Sequence, residues 1–451
     1  MAEFDLLLVA KMVVPDSTKE PLSPGFVAVR DSKIVLVGEG EPAGITARES
    51  IVAKDGIIIP GLVSAHDHMY GVLAHGIPVD TEVKGFRGFL EDFWWPRVED
   101  RIDVEALRAA VEVAVLERLR TGTTCISDIL EAPYAIPGAL DAESRVLNRA
   151  GLRGVLSFEA TERVSKENGE SGLEENLSFI SSEKDAGLTR GMHCLHTTFT
   201  CSPAFIRRCR EQADSTGSGI QIHLEESPYE AEFDAKKYHK LPVSVYDEAG
   251  FWGPDVIASQ CVQTTPEEIG ILAKHHVKIS HQPLSNGEVG GGIAPVPSMV
   301  EQGLEVGLGT DGFIVDMFEV MRAAWLLHKA ASADPGVLTA AQVFKMATET
   351  GARILGVGAG AIRPGFKADV AILDDRFPTP ITKENAVTQL VVYGSGTFVK
   401  DVIIDGKVVV KSRRVLNIDE DSARRKGIEA ARNLWSHSGN QRTSRSRRKN
   451  A

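Results

Sequence analysis

At 451 residues, with 43% hydrophobic and 25% charged residues, the chain has the composition of a globular enzyme and the length of two to three units, or of one large barrel with an appendage. A formal net charge of −12 argues against nucleic acid as the main partner. No apolar run approaches the ~20 residues of a membrane span, and the acidic Glu3 and Asp5 ahead of the short run Leu6–Ala10 do not read as a secretory signal.

Residues 1–57 read as short strands, Asp5–Val9, Gly25–Arg30, Lys33–Gly38 and Ser50–Ala53, punctuated by proline and glycine. From 58 to 364 the texture changes to alternating strand and helix. The strand candidates are Ile58–Ala65, Thr124–Leu130, Gly154–Glu159, Met192–Thr198, Gly219–Leu224, Val256–Val262, Val277–His281 and Leu304–Thr310. Helical patterns such as Val104–Arg120, Asp141–Ala150, Ser202–Ser215 and Pro266–Lys274 separate most of them. Eight strands with intervening helices predict an α/β fold, a (β/α)8 TIM-like barrel; a doubly wound open sheet is the competing arrangement. The stretch from Gly71 to Ile102, with Phe86, Phe89, Phe93, Trp94 and Trp95, exceeds what a connection needs and is expected to form a lid or an apolar wall.

Strand texture returns over 365–415 (Ala368–Leu373, Leu390–Tyr393, Val399–Ile404, and a turn at Asp405-Gly406 into Lys407–Lys411). Neither end has enough strands to bury a face alone, so the two termini are expected to build one small β-sandwich domain. Residues 416–451 read as a helix followed by a disordered basic tail carrying Arg442, Arg445, Arg447, Arg448 and Lys449. Five cysteines without a Cys-X-X-Cys spacing, three of them (Cys125, Cys194 and Cys261) in apolar runs, favour a reducing cytoplasm over a disulfide framework.

The chemistry gathers at the strand ends. The first strand delivers His66 and His68 at alternate positions, which point to one face while Asp67 points away. A His-X-His pair alone is weak evidence. Its weight comes from the later strand ends: His196 on the fourth, His223 with Glu225-Glu226 on the fifth, Gln260 on the sixth, His281 on the seventh and Asp311 on the eighth. In a barrel these ends meet on the face where active sites sit. Three imidazoles and one carboxylate, His66, His68, His223 and Asp311, suit one divalent ion of the zinc or ferrous type and leave room for water.

The stretches Pro60-Gly61-Leu62-Val63-Ser64-Ala65-His66-Asp67-His68, Arg120-Thr121-Gly122-Thr123-Thr124, His223-Leu224-Glu225-Glu226, Gly291-Gly292-Ile293-Ala294-Pro295-Val296-Pro297 and Leu308-Gly309-Thr310-Asp311-Gly312 resemble the amidohydrolase superfamily, in its branch of cyclic deaminases and chlorohydrolases. The Phe93-Trp94-Trp95 pattern and the segment Glu131–Gly138 are similar to aminohydrolases linked to selenium metabolism. The resemblance spans nearly the whole chain except the basic tail. It implies a hydrolase of non-peptide carbon–nitrogen bonds that deaminates an N-heterocyclic small molecule, with self-association into dimers or larger assemblies. It also implies one metal, zinc first and iron as the alternative, on His66, His68, His223 and Asp311. Glu226 would be the proton-shuttling glutamate, His196 a substrate contact, and Trp95 part of the substrate wall.

Where the family usually carries a histidine on the sixth strand, this chain has Gln260, whose amide donates hydrogen bonds but carries no charge. Gln260 is therefore expected to touch substrate, with His281 covering part of the missing catalytic role. A catalytically silent binding or assembly subunit is the alternative that Gln260 raises. The acidic residue of adenosyl-type deaminases is not evident near the aromatic loop, where Arg87 stands, so a smaller or anionic ring is expected.

Overall fold

The structure, a computed structural model, describes residues 3–79, 82–182 and 187–436, so the basic tail lies outside the described residues. Strands β1 (Phe4–Val13), β2 (Gly25–Arg30), β3 (Lys33–Glu39) and β4 (Ala47–Pro60) open the chain. The barrel strands are β5 (Leu62–Asp67), β6 (Thr123–Leu130), β7 (Arg153–Phe158), β8 (Thr189–Gly191), β9 (His193–Leu195), β10 (Ile220–Leu224), β11 (Val256–Gln260), β12 (Lys278–His281) and β13 (Val306–Leu308). The last four are β14 (Val370–Asp374), β15 (Val399–Ile404), β16 (Lys407–Lys411) and β17 (Arg414–Val415).

Both termini enter one eight-stranded sheet in the order β17-β16-β15-β14-β4-β1-β2-β3. β14 pairs antiparallel with the end of β4, Ile372 opposite Ile58, so neither terminal segment can complete the sheet without the other. Leu6, Leu8, Val27, Val29, Ile34, Ile58, Ile372 and Ile403 share one buried core, around which the sheet curls until Ala368 N–H donates to the Ser32 carbonyl at 2.9 Å.

Gly61 separates that sheet from the barrel. A Cβ there would fall 2.1 Å from Thr124 Oγ1, so only glycine lets the chain pass from β4 into β5 at this spacing. The expected single strand Ile58–Ala65 is thus two strands in two sheets. β5 to β8 and β9 to β13 form two parallel sheets. β8 and β9 are two pieces of one strand interrupted at Met192. Bridges between Ala160 and Leu195 and between Asp67 and Asp311 join the two sheets into an eight-stranded ring. The (β/α)8 barrel expected from the alternation is the observed architecture. Val63, Ala65, Cys125, Val155, Met192 and Ile257 pack with Ile354 and Leu355 and fill the barrel at the end away from the ligand candidates.

One expected strand is a helix. Leu390–Tyr393 belongs to the helix Ala386–Tyr393, whose Ala386, Gln389, Leu390 and Val391 are buried. Valine-rich sequence favours a strand locally, but this spacing presents one helical face to the helix Met317–Ser332, and packing decides. The helix Glu420–Ser436 packs on the helix Val104–Arg120, and its Trp435 Nε1 donates to the Leu73 carbonyl at 2.8 Å. No helix among the described residues is long and apolar enough to cross a membrane.

Candidate active site

His66 and His68 leave β5 on the same side. Asp67 turns the other way, into a buried bidentate pair with Arg118 of the helix Val104–Arg120, and also accepts from Thr310 Oγ1 at 3.0 Å. This pair anchors the end of β5 beneath the two histidines. Asp311 follows β13 with φ +58°, a left-handed conformation rare for a residue other than glycine. Its N–H donates to the His66 carbonyl at 3.1 Å. The neighbouring Gly309 comes so close that a Cβ would sit 2.7 Å from the same carbonyl oxygen. The ring thereby closes where the candidate ligands lie.

His68 Nδ1 donates to the Ile129 carbonyl at 2.6 Å, because a carbonyl can only accept, and this leaves Nε2 with a free lone pair. That Nε2 faces His223 Nε2 at 3.2 Å. Both ring nitrogens of His66 are buried without a hydrogen-bond partner. Ligand nitrogens of His66, His68 and His223 all lie within 4.8 Å of one another. Asp311 Oδ2 is 3.7 Å from His66 Nε2, and Oδ1 is 3.6 Å from His68 Nε2. Tetrahedral coordination with bonds of about 2.1 Å sets neighbouring ligand atoms about 3.4 Å apart. Three of the ligand-to-ligand distances, His68–His223 at 3.2 Å, His66–Asp311 at 3.7 Å and His68–Asp311 at 3.6 Å, lie near that edge length. Burial holds His66 and His223 below the usual imidazole range, so both are neutral donors. Burial opposes the charge of Asp311, but the three histidines and the Gln260 amide outweigh it and keep the carboxyl well below its usual range.

The ligand candidates His68, His223 and Asp311 face a cavity of about 650 Å³. A π-helical turn, Phe89–Trp94, stacks Phe89 on Trp94 at 5.6 Å and lays aromatic rings along one wall. Trp95 meets His196 edge to face at 6.2 Å, and both line the cavity. Glu226 lies beside Asp311; burial and that neighbouring charge push its carboxyl well above the ordinary range. Glu288, on the rim, rises to about 7 for the same two reasons.

Two expected site residues are placed differently. Gln260 gives its amide to Asp311, Nε2 to Oδ2 at 2.7 Å, and is not on the cavity wall. His281 also stays off the wall: its Nε2 faces His328 Nε2 at 3.1 Å, because the seventh strand turns that ring towards the helix Met317–Ser332. Arg87, which prompted the expectation of an anionic ring, donates to Glu91 Oε1 at 2.8 Å and lies over Tyr229. Among the described residues the wall carries Glu99, Glu131, Glu159, Glu226, Glu288 and Asp311 and no lysine or arginine.

An acidic network that no local sequence motif marks stands at this wall. Arg163 donates to Glu131 at 2.5 Å, to Asp100 at 2.8 Å and to Glu99 at 3.0 Å, and lies over the Trp95 ring at 4.9 Å. Tyr70 Oη donates to Glu99 at 3.0 Å. Glu159, directly after β7, stands at a strand end like the ligand candidates, and that position was the available signal.

Residues 57–409 match the model of the amidohydrolase family. A 5'-deoxyadenosine deaminase from Methanosarcina mazei is 33% identical over 435 residues, covering 94% of this chain and 97% of that protein. A 5-methylthioadenosine/S-adenosylhomocysteine deaminase from Moorella thermoacetica is 34% identical over 431 residues, covering 91% and 96%. The crystal structure of an adenosine deaminase from Xanthomonas campestris with bound zinc superposes with a TM-score of 0.87 at 25% identity, covering 96% of this chain and 99% of that one.

Proposed function

We propose that this chain, which belongs to the amidohydrolase family, is a metal-dependent deaminase with His66, His68, His223 and Asp311 as ligands of one divalent ion. It is a hydrolase of carbon–nitrogen bonds other than peptide bonds. The observation that carries the site assignment is the convergence of three buried imidazoles, His66, His68 and His223, with the half-buried Asp311 carboxylate within 3.7 Å of His66 and His68 and Glu226 beside them. Zinc fits the donor set of three imidazoles and one carboxylate, and the zinc-bearing Xanthomonas structure supports it; iron shares the same preference.

When bound, the ion supplies hydroxide at neutral pH by lowering the pKa of water. Asp311, kept ionised, accepts a proton from the attacking water. Glu226, kept protonated, delivers one to a ring nitrogen and makes the neighbouring amino-bearing carbon electrophilic. Asp311 passes the proton it took from water to the amino nitrogen, and collapse of the tetrahedral carbon then releases ammonia. Gln260 holds the Asp311 carboxylate in place, and His196 and Trp95 orient the ring.

The named relatives support an aminopurine nucleoside as substrate, and a wall that among the described residues has six carboxyl groups and no lysine or arginine supports a neutral or cationic ring over an anionic one. The five cysteines are all unpaired and buried, which supports a reducing compartment such as the cytoplasm. The silent-subunit alternative has no support in the geometry, since Gln260 leaves the four ligand candidates and Glu226 together. Ammonia release should be assayed with 5'-deoxyadenosine, 5-methylthioadenosine, S-adenosylhomocysteine, guanine and the anionic, amino-bearing pterin-6-carboxylate. Release from an aminopurine and none from pterin-6-carboxylate is expected; no release from any aminopurine would refute the substrate assignment.

A further inference from the structure

We propose that Glu159 is a positioning residue that holds His223 and His196 through a single carboxylate oxygen. The inference rests on His223 being a metal ligand. The backbone of Glu159 is fixed, because its N–H donates to the Leu130 carbonyl at 2.8 Å and so carries the β6–β7 pairing one residue past the strand. Its side chain is buried, with Oε1 at 3.0 Å from His223 Nδ1 and 3.7 Å from His196 Nε2. Among the described residues these two histidines are its ion-pair partners.

An imidazole that binds a metal through one nitrogen must keep its proton on the other, and the acceptor of that proton fixes the tautomer and the ring plane. For His68 the acceptor is the neutral Ile129 carbonyl at 2.6 Å. For His223 the group nearest Nδ1 is the Glu159 carboxyl, with Oε1 at 3.0 Å, an ion-pair distance without the alignment of a hydrogen bond. The same oxygen faces His196, whose other nitrogen meets Thr200 Oγ1 at 2.9 Å. One carboxylate thus sets both a ligand and a substrate contact, whose rings lie 5.5 Å apart. Arg163 does not take this role over, since its donors are committed to Glu99, Asp100 and Glu131.

The test compares the wild-type chain with E159A and E159Q loaded with Co²⁺, following the visible d–d spectrum and metal loss to a competing chelator. E159A is expected to lose about 10–100-fold in cobalt affinity with an altered spectrum. E159Q, which keeps an acceptor oxygen in the same place, is expected to recover part of both. If E159A does not fold, E159Q carries the test and should still fall measurably below wild type. Wild-type affinity and spectrum in a folded variant would overturn the inference and leave the metal site intact. A wild-type chain that takes up neither cobalt nor zinc would overturn the metal site and this inference with it.

Discussion

Gln260 Nε2 donates to Asp311 Oδ2 at 2.7 Å, and the Gly312 N–H donates to the other oxygen at 2.8 Å. The residue that departs from the family pattern therefore serves the carboxylate instead of facing the ring. With both oxygens held, Asp311 keeps a lone pair directed at the histidines. Q260A removes one of the two donors, and kcat should fall about tenfold or more with metal content unchanged. Steady-state kinetics paired with metal analysis checks both halves.

Glu226 provides a pH signature. Burial and Asp311 raise its carboxyl, so the protonated form that the proposed proton transfer requires persists through neutral pH. Activity should therefore hold at neutral pH and decline as pH rises through the Glu226 pKa. E226Q should lower kcat by roughly 10²–10⁴-fold and remove that limb, which a pH–rate profile of both proteins would show.

Arg118 and Asp67 form a buried ion pair under β5. R118M leaves the carboxylate buried and unpaired, which should cost about 3–5 kcal/mol in unfolding free energy. Chemical denaturation would measure the loss. D67N/R118M should recover much of it if the pair acts as a unit.

Asp234 is fully buried behind the site, and burial together with the charge of Glu230 raises it to about 8. A carboxyl raised in the folded state binds its proton more tightly there than in the unfolded chain. Stability from this group is therefore complete below the unfolded value of about 4 and is lost as pH rises towards 8, by up to about 1.4 kcal/mol per pH unit. D234N should melt like the wild type at pH 4 and above it at pH 8, as thermal scans at the two pH values would show.

The barrel was legible because eight apolar strands alternate with helices, and the four proposed metal ligands stood out because each lies at a strand end. Leu390–Tyr393 misled because valine favours a strand locally, while the helix answers to a partner far away in the chain. Glu99, Glu131 and Arg163 carried no local pattern: they meet across separate loops, and only the closed ring brings them together. His281 ends its strand as a ligand would, and the direction of its ring is set by His328, 47 residues further on.

The most direct test of the account is metal content measured together with ammonia release, for the wild type and for H223A, before and after chelation. The expected result is about one zinc or iron per wild-type chain, loss of release on chelation and its return with added zinc, and neither tight metal nor turnover in H223A. Undiminished ammonia release from a chain stripped of metal would contradict it.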